Sequence, residues 1–89
     1  MIIILEYPKD NLLQMDYKCI IGNRKEHIND LVEYMKMKKY VVDPSLSVCV
    51  PKNKTNLTMN RQIGEIYDLY HDRDDKMLYL QVLTSNPFG

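Results

Sequence analysis

Eighty-nine residues, 45% apolar and 27% charged, have the composition of one ordinary globular domain, with no room for a cleft between two. Twelve Lys plus Arg balance twelve Asp plus Glu, which excludes the global basic field of a nucleic-acid binder. Three Gly and four Pro exclude collagen-like and linker-dominated chains.

Met1-Ile2-Ile3-Ile4-Leu5 is apolar only as far as Glu6. It lacks the basic start and ~7–15-residue apolar stretch of a signal peptide, and no run approaches the ~20 apolar residues of a membrane span. Cys19 and Cys49 have no CxxC spacing and read as reduced, part-buried core thiols of a cytosolic chain. The β-branched run Met1–Tyr7, ended by Pro8, suits a central strand buried on both faces. Lys9-Asp10-Asn11 is turn chemistry, and Leu12–Ile21 alternates Tyr17, Cys19 and Ile21 against Asp16 and Lys18 up to Gly22, which completes a hairpin.

Asn23 with Glu26 has the form of a capping box. Ile28, Leu31, Val32 and Met35 then fall at i, i+3, i+4 and i+7, which predicts one amphipathic helix from about Arg24 to Lys39. Lys36, Lys38 and Lys39 crowd its last turn, where cations favour the helix dipole. After the break at Asp43-Pro44-Ser45, Leu46, Val48 and Val50 alternate in a short strand that Pro51 stops. Lys52 to Leu57 reads as polar loop. Met59, Ile63, Ile66, Tyr67 and Tyr70 predict a second helix from about Asn60 to Tyr70, with Gly64 on its flank. An acidic turn, His71–Asp75, leads to a last strand, Met77–Leu83, apolar on both sides. The order ββαβαβ predicts an α+β fold: residues 1–83 as a ubiquitin-like β-grasp with a mixed four-stranded sheet and a long helix across one face, and 84–89 as a tail.

Catalytic machinery is not expected. His27 and His71 read as solvated surface, and His71, Asp72, Asp74 and Asp75 lack the spacing of a calcium loop. There is no phosphate-binding Gly-rich loop, and no metal or cofactor is implied. Charge is uneven: Lys36, Lys38, Lys39, Lys52 and Lys54 outweigh Asp43, whereas Glu65, Asp68, Asp72, Asp74 and Asp75 outweigh Arg61 and Arg73. Such a bipolar surface fits either docking to charged proteins or ordinary solvated faces. The chain stops on Gly89 shortly after its last strand, and a residue without Cβ lets a backbone enter a narrow enzyme site.

Ile63-Gly64-Glu65-Ile66-Tyr67, the acidic turn, Leu78-Tyr79-Leu80-Gln81-Val82 and Phe88-Gly89 together resemble the C-terminal half of the autophagy ubiquitin-like modifiers. Asn23-Arg24, Leu31-Val32-Glu33-Tyr34-Met35 and Ser47-Val48-Cys49-Val50 continue the resemblance upstream. The Ile63-Gly64 pair and the aromatic-Gly ending look more like the autophagy-related protein 12 family, which has the bare ubiquitin-like core, than the lipid-conjugated autophagy-related protein 8 family, which has two further N-terminal helices. The resemblance implies a non-enzymatic modifier, activated and transferred by the pathway's activating and conjugating enzymes. Gly89 would be joined by an isopeptide bond to a lysine of autophagy-related protein 5, and Phe88 would anchor the tail in a partner. With autophagy-related protein 16, the conjugate would promote lipidation of the protein 8 family. The protein would be cytoplasmic and recruited to the pre-autophagosomal membrane, which it would meet only indirectly. The family's partner surface often includes a Trp near the end of the second strand, where this chain has Lys18, Cys19 and Ile20; Lys36, Lys38, Lys39, Lys52 and Lys54 complete the candidate surface. A truncated lipid-conjugated modifier and an unconjugated ubiquitin-like interaction domain are the alternatives.

Overall fold

Alternating strands and two amphipathic stripes organise the computed structural model, which describes residues 1–8, 15–40 and 46–84. The elements are β1 (Ile2–Pro8), β2 (Met15–Ile21), α1 (Ile28–Met37), β3 (Leu46–Val50), β4 (Thr55–Leu57), α2 (Ile63–Tyr70) and β5 (Leu78–Thr84). The strands form one mixed sheet in the order β2-β1-β5-β3-β4. β1 runs antiparallel to β2 and parallel to β5, so the first and last strands lie side by side, with Ile3 opposite Leu78 and Leu5 opposite Leu80. β3 is antiparallel to β5, with Val48 opposite Val82.

This register puts Ile3, Leu5, Leu78, Leu80, Val48 and Val82 on one face, all at most 1% exposed. Ile28, Leu31, Val32 and Met35 of α1, the stripe read from the sequence, cover that face together with Ile63 and Ile66 of α2. Full burial of each such side chain contributes about 1.5–3 kcal/mol. The loop before α1 is laced to the start of α2: the amides of Ile63 and Gly64 donate to the carbonyls of Glu26 and Arg24 at 2.7 and 3.0 Å. The Arg24 guanidinium spans both Asp68 oxygens at 2.6 and 3.1 Å.

Four expectations need correction. The sheet has five strands, because the 51–54 turn reverses the chain and pairs Thr55 with Val50 and Leu57 with Val48. What read as loop is a short edge strand held by the buried Leu57. The first helix is not long: it has 10 residues, Ile28–Met37. Asn23 and Glu26 do bond, through Asn23 N–H to Glu26 Oε1 at 3.1 Å, but this closes a separate turn. The helix start is closed instead by Asp30, whose carboxylate accepts the His27 amide at 2.7 Å, and the end is set by Lys39 at φ 60. The second helix begins at Ile63, since the segment before it is tied to the start of α1: the amides of Ile28 and Asn29 donate to the carbonyls of Arg61 and Met59, and His27 bridges to Gln62. Finally, among the described residues β1 and β5 are covered by helices on one face only. Of the tail, Thr84 belongs to β5. Residues 9–14, 41–45 and 85–89, with the turns read at Lys9–Asn11 and Asp43–Ser45, lie outside the described residues.

Candidate partner-docking surfaces

The edge strand β2 carries Lys18, Cys19 and Ile20, and the pleat divides them. Lys18 and Ile20 stand opposite Leu5 and Ile3 and turn towards the helices, whereas Cys19, opposite Ile4, faces the other way and is exposed. It is therefore not a core thiol. Cys49 is buried, as read, and both thiols are free. Burial raises the Cys49 pKa, with Glu6 adding to the effect.

Beside Lys18 the chain assembles a cluster that sequence reasoning missed. Where α1 ends, the amide of Tyr40 donates to Met35, bringing the Tyr40 ring within 5.7 Å of Tyr7 and 6.2 Å of Tyr34 (centroid distances). The Lys18 ammonium lies 4.6 Å from the centre of the Tyr40 ring, and hydrogen bonding to Tyr40 raises its pKa. The Tyr7 hydroxyl donates to Asp16 at 3.3 Å, and its pKa is raised by burial first and by Asp16 second. Seven Tyr and no Trp were the available signal. Tyr34 and Tyr40 remain half-buried, with Lys36 half-buried and Lys38 and Lys39 exposed next to them. The geometry suits a partner offering an aromatic or aliphatic group beside an acidic one.

Lys52 and Lys54 are not part of this cluster. Cys49 stands opposite Gln81, so the turn beyond Val50 lies beside the start of β5, at the far end of the sheet from Tyr7. The five lysines expected to give one positive patch are split between two ends. Lys52 borders an open cavity of about 720 Å³ with Leu69, Tyr70 and Arg73, where it faces Asp72. The expected acidic excess is also largely engaged: Asp68 pairs with Arg24 and Glu65 with Arg61. The Asp72 carboxylate accepts the amides of Asp74 and Asp75 at 2.7 and 3.2 Å, bonds that hold its pKa below the usual carboxylate value.

The two histidines differ. His27, whose backbone bridges to Gln62 before α1, keeps a side chain 43% exposed, as read; His71 instead stacks on Tyr67, with centroids 4.6 Å apart, and its Nδ1 lies 2.6 Å from the Tyr67 carbonyl. Phe88 and Gly89 lie outside the described residues.

No family model matches the chain, and no curated protein does. Among solved structures it is similar to the crystal structure of Trypanosoma brucei ATG8, with a TM-score of 0.69 and 19% identity over 99% of this chain and 77% of that one. At that identity the likeness establishes the fold. The chain has a mixed α+β, ubiquitin-like fold with a five-stranded sheet and two helices.

Proposed function

We propose that this protein is a ubiquitin-like modifier of the autophagy pathway, acted on by enzymes and not itself a catalyst. The observation that carries the reading is the fold shared with an ATG8 over 99% of the chain, taken with the order of motifs from Asn23 to Gly89. In the proposed reaction the Gly89 carboxylate attacks ATP and releases pyrophosphate. An activating-enzyme cysteine displaces AMP to form a thioester, which passes to a conjugating enzyme. A lysine amine of autophagy-related protein 5 then attacks the carbonyl and expels the thiol. Phe88 anchors the tail in a partner's pocket, and the Lys18–Tyr40 cluster with Lys36, Lys38 and Lys39 is the docking surface. Autophagy-related protein 16 joins through the conjugate, which works from the cytoplasm at the forming membrane.

A second reading, the lipid-conjugated branch, is favoured by the structural neighbour itself. There the acceptor is the amine of phosphatidylethanolamine. Reconstitution with activating and conjugating enzymes and ATP, read by intact mass, separates them. A protein-lysine adduct supports the first reading and a lipid adduct the second. If the chain lacking Gly89 forms the same adduct, or the full chain forms none, the modifier reading fails.

A further inference from the structure

The sheet has a second face, and among the described residues no helix lies on it. The alternation that sends Ile3, Leu5 and Tyr7 inward sends Ile2, Ile4 and Glu6 the other way, with Tyr17 and Ile21 of β2 and Tyr79 and Leu83 of β5 beside them. Ile2, Met15, Tyr17, Ile21, Tyr79 and Leu83 are each exposed, from 36% at Met15 to 83% at Ile21. Of all the side chains that β1, β2, β3 and β5 turn to this face, only Glu6 carries a charge, in a chain that is 27% charged. Glu6 is itself engaged, accepting from Gln81 Nε2 and holding up the Tyr17 pKa by hydrogen bonding. Charge is concentrated on the helices and turns, and it reaches this surface only at its margin, where Asp75 accepts the Tyr79 hydroxyl. Depletion of charge with Tyr, Met and Ile in its place is the composition of an interface core.

We propose that this face packs against the same face of a second copy of the chain, giving a two-fold sandwich of two sheets with the helices outside. Two arguments select that occupant. The first is area. At roughly 200 Å² per large side chain, the exposed parts of the six residues amount to about 600 Å². That is the upper end of the largest patch on an ordinary monomer, about 300–600 Å², and approaches the ~800 Å² each partner buries in a standard interface. The second is charge. The helix surface or tail of another protein commonly brings charged groups, for which this face offers one already engaged carboxylate. A second copy brings a surface equally poor in charge, its Glu6 already bonded to Gln81, so the patch comes close to being its own complement. Two inner faces of this kind pack about 10 Å apart with interleaved side chains. Ile21 and Tyr17, on the outer strand, would lose the most exposure.

The test is sedimentation of the full chain from low micromolar to near-millimolar concentration. A monomer–dimer equilibrium is expected, insensitive to salt. Ile21→Glu should weaken it at least ~100-fold, since the change is made twice in a two-fold interface. Lys25→Glu, on an exposed loop away from this face, should leave it unchanged. Ile21 is exposed in the single chain, so its replacement leaves the fold intact, which circular dichroism checks; Tyr17→Glu is an independent second variant. A chain that stays monomeric throughout the range overturns the proposal, as does a dimer indifferent to both substitutions. So does a monomer that instead binds phosphatidylcholine vesicles or an amphipathic helix through this face. None of these outcomes depends on conjugation, so the proposal and the modifier reading stand or fall separately.

Discussion

Replacing Gly64 with Ala measures how closely the loop before α1 must approach α2. A helix interior ordinarily gains about 0.8–1 kcal/mol from this change, and an added methyl in open space would raise stability. Here the new Cβ would stand 2.9 Å from Arg24 Cβ and 3.1 Å from both Arg24 Nε and the Arg24 carbonyl oxygen. The Nε contact can swing aside, but the carbonyl is backbone, and it accepts the Gly64 amide at 3.0 Å. Relief means moving the loop, which also strains the Ile63–Glu26 bond and the Arg24–Asp68 pair. Overpacking of this kind costs about 1–3 kcal/mol, and loss of a backbone hydrogen bond adds about 1 kcal/mol. After the propensity gain, the net expectation is a loss of about 1–3 kcal/mol. For a domain of this size that lowers Tm by roughly 5–20 °C. Calorimetry or thermal circular dichroism reads it directly. Arg24→Gly in the Gly64→Ala background should recover part of the loss, whereas Arg24→Ala, which keeps the offending Cβ, should not. If Gly64→Ala melts at or above the parent temperature, the approach is looser than described and the lacing is not what positions α2.

Two further outcomes follow from the core and the acidic turn. Leu80, 1% exposed on the middle strand, should cost about 3 kcal/mol when cut to Ala, measured by urea unfolding with an unchanged m-value. Asp72 and Asp68 have folded pKa values below the ordinary ~3.9 of Asp, Asp72 through the amides of Asp74 and Asp75 and Asp68 through Arg24. A lowered folded pKa contributes stability that is present above the unfolded value and lost as pH falls through the folded one. Thermal stability should therefore decline below about pH 4, and Asp72→Asn should flatten that decline; an unaltered acid limb would show that the Asp72 turn bonds do not persist in solution.

The strands were legible where alternation was long enough to declare a face. Leu46–Val50 met that condition, and so did the four-residue stripe of α1; the central pair of strands was legible as continuous apolar runs, which hid the fact that helices cover one face only. β4 did not: with Leu57 its one apolar and buried residue, Thr55-Asn56-Leu57 has no hydrophobic period to read. Turns were legible where glycine or proline marked them. Lys39, Lys54 and Lys76 take left-handed φ values of 60, 55 and 64, a conformation costing roughly 1–2 kcal/mol for residues with a Cβ, and nothing in a lysine announces it. That is why the first helix was read too long at its C-terminal end and the hairpin after Val50 was read as loop; at its start the Asn23–Glu26 turn had the look of a helix cap. The tyrosine cluster was hidden for another reason, since Tyr34 and Tyr40 meet through the turn that ends α1 and only the fold brings Tyr7 of β1 beside them. The lysine patch failed in the opposite sense, because proximity along the chain and similarity of charge suggested one surface where the sheet makes two.

The parallel pairing of the first strand with the last has a consequence for the order of synthesis. β1 and β2 can close their hairpin as soon as both have emerged, and β3 with β4 can do the same. Neither hairpin can join the other until residues 78–84 arrive, because β5 lies between them. Until then β1 and β3 each present an open inner edge and an uncovered apolar row to whatever is nearby. Contacts spanning some seventy-five positions, such as Ile3 with Leu78, must close a long loop before they return any stability, which slows the final step. The fold is thus completed by its last strand, and a newborn chain has most need of a chaperone in the interval just before that strand is free.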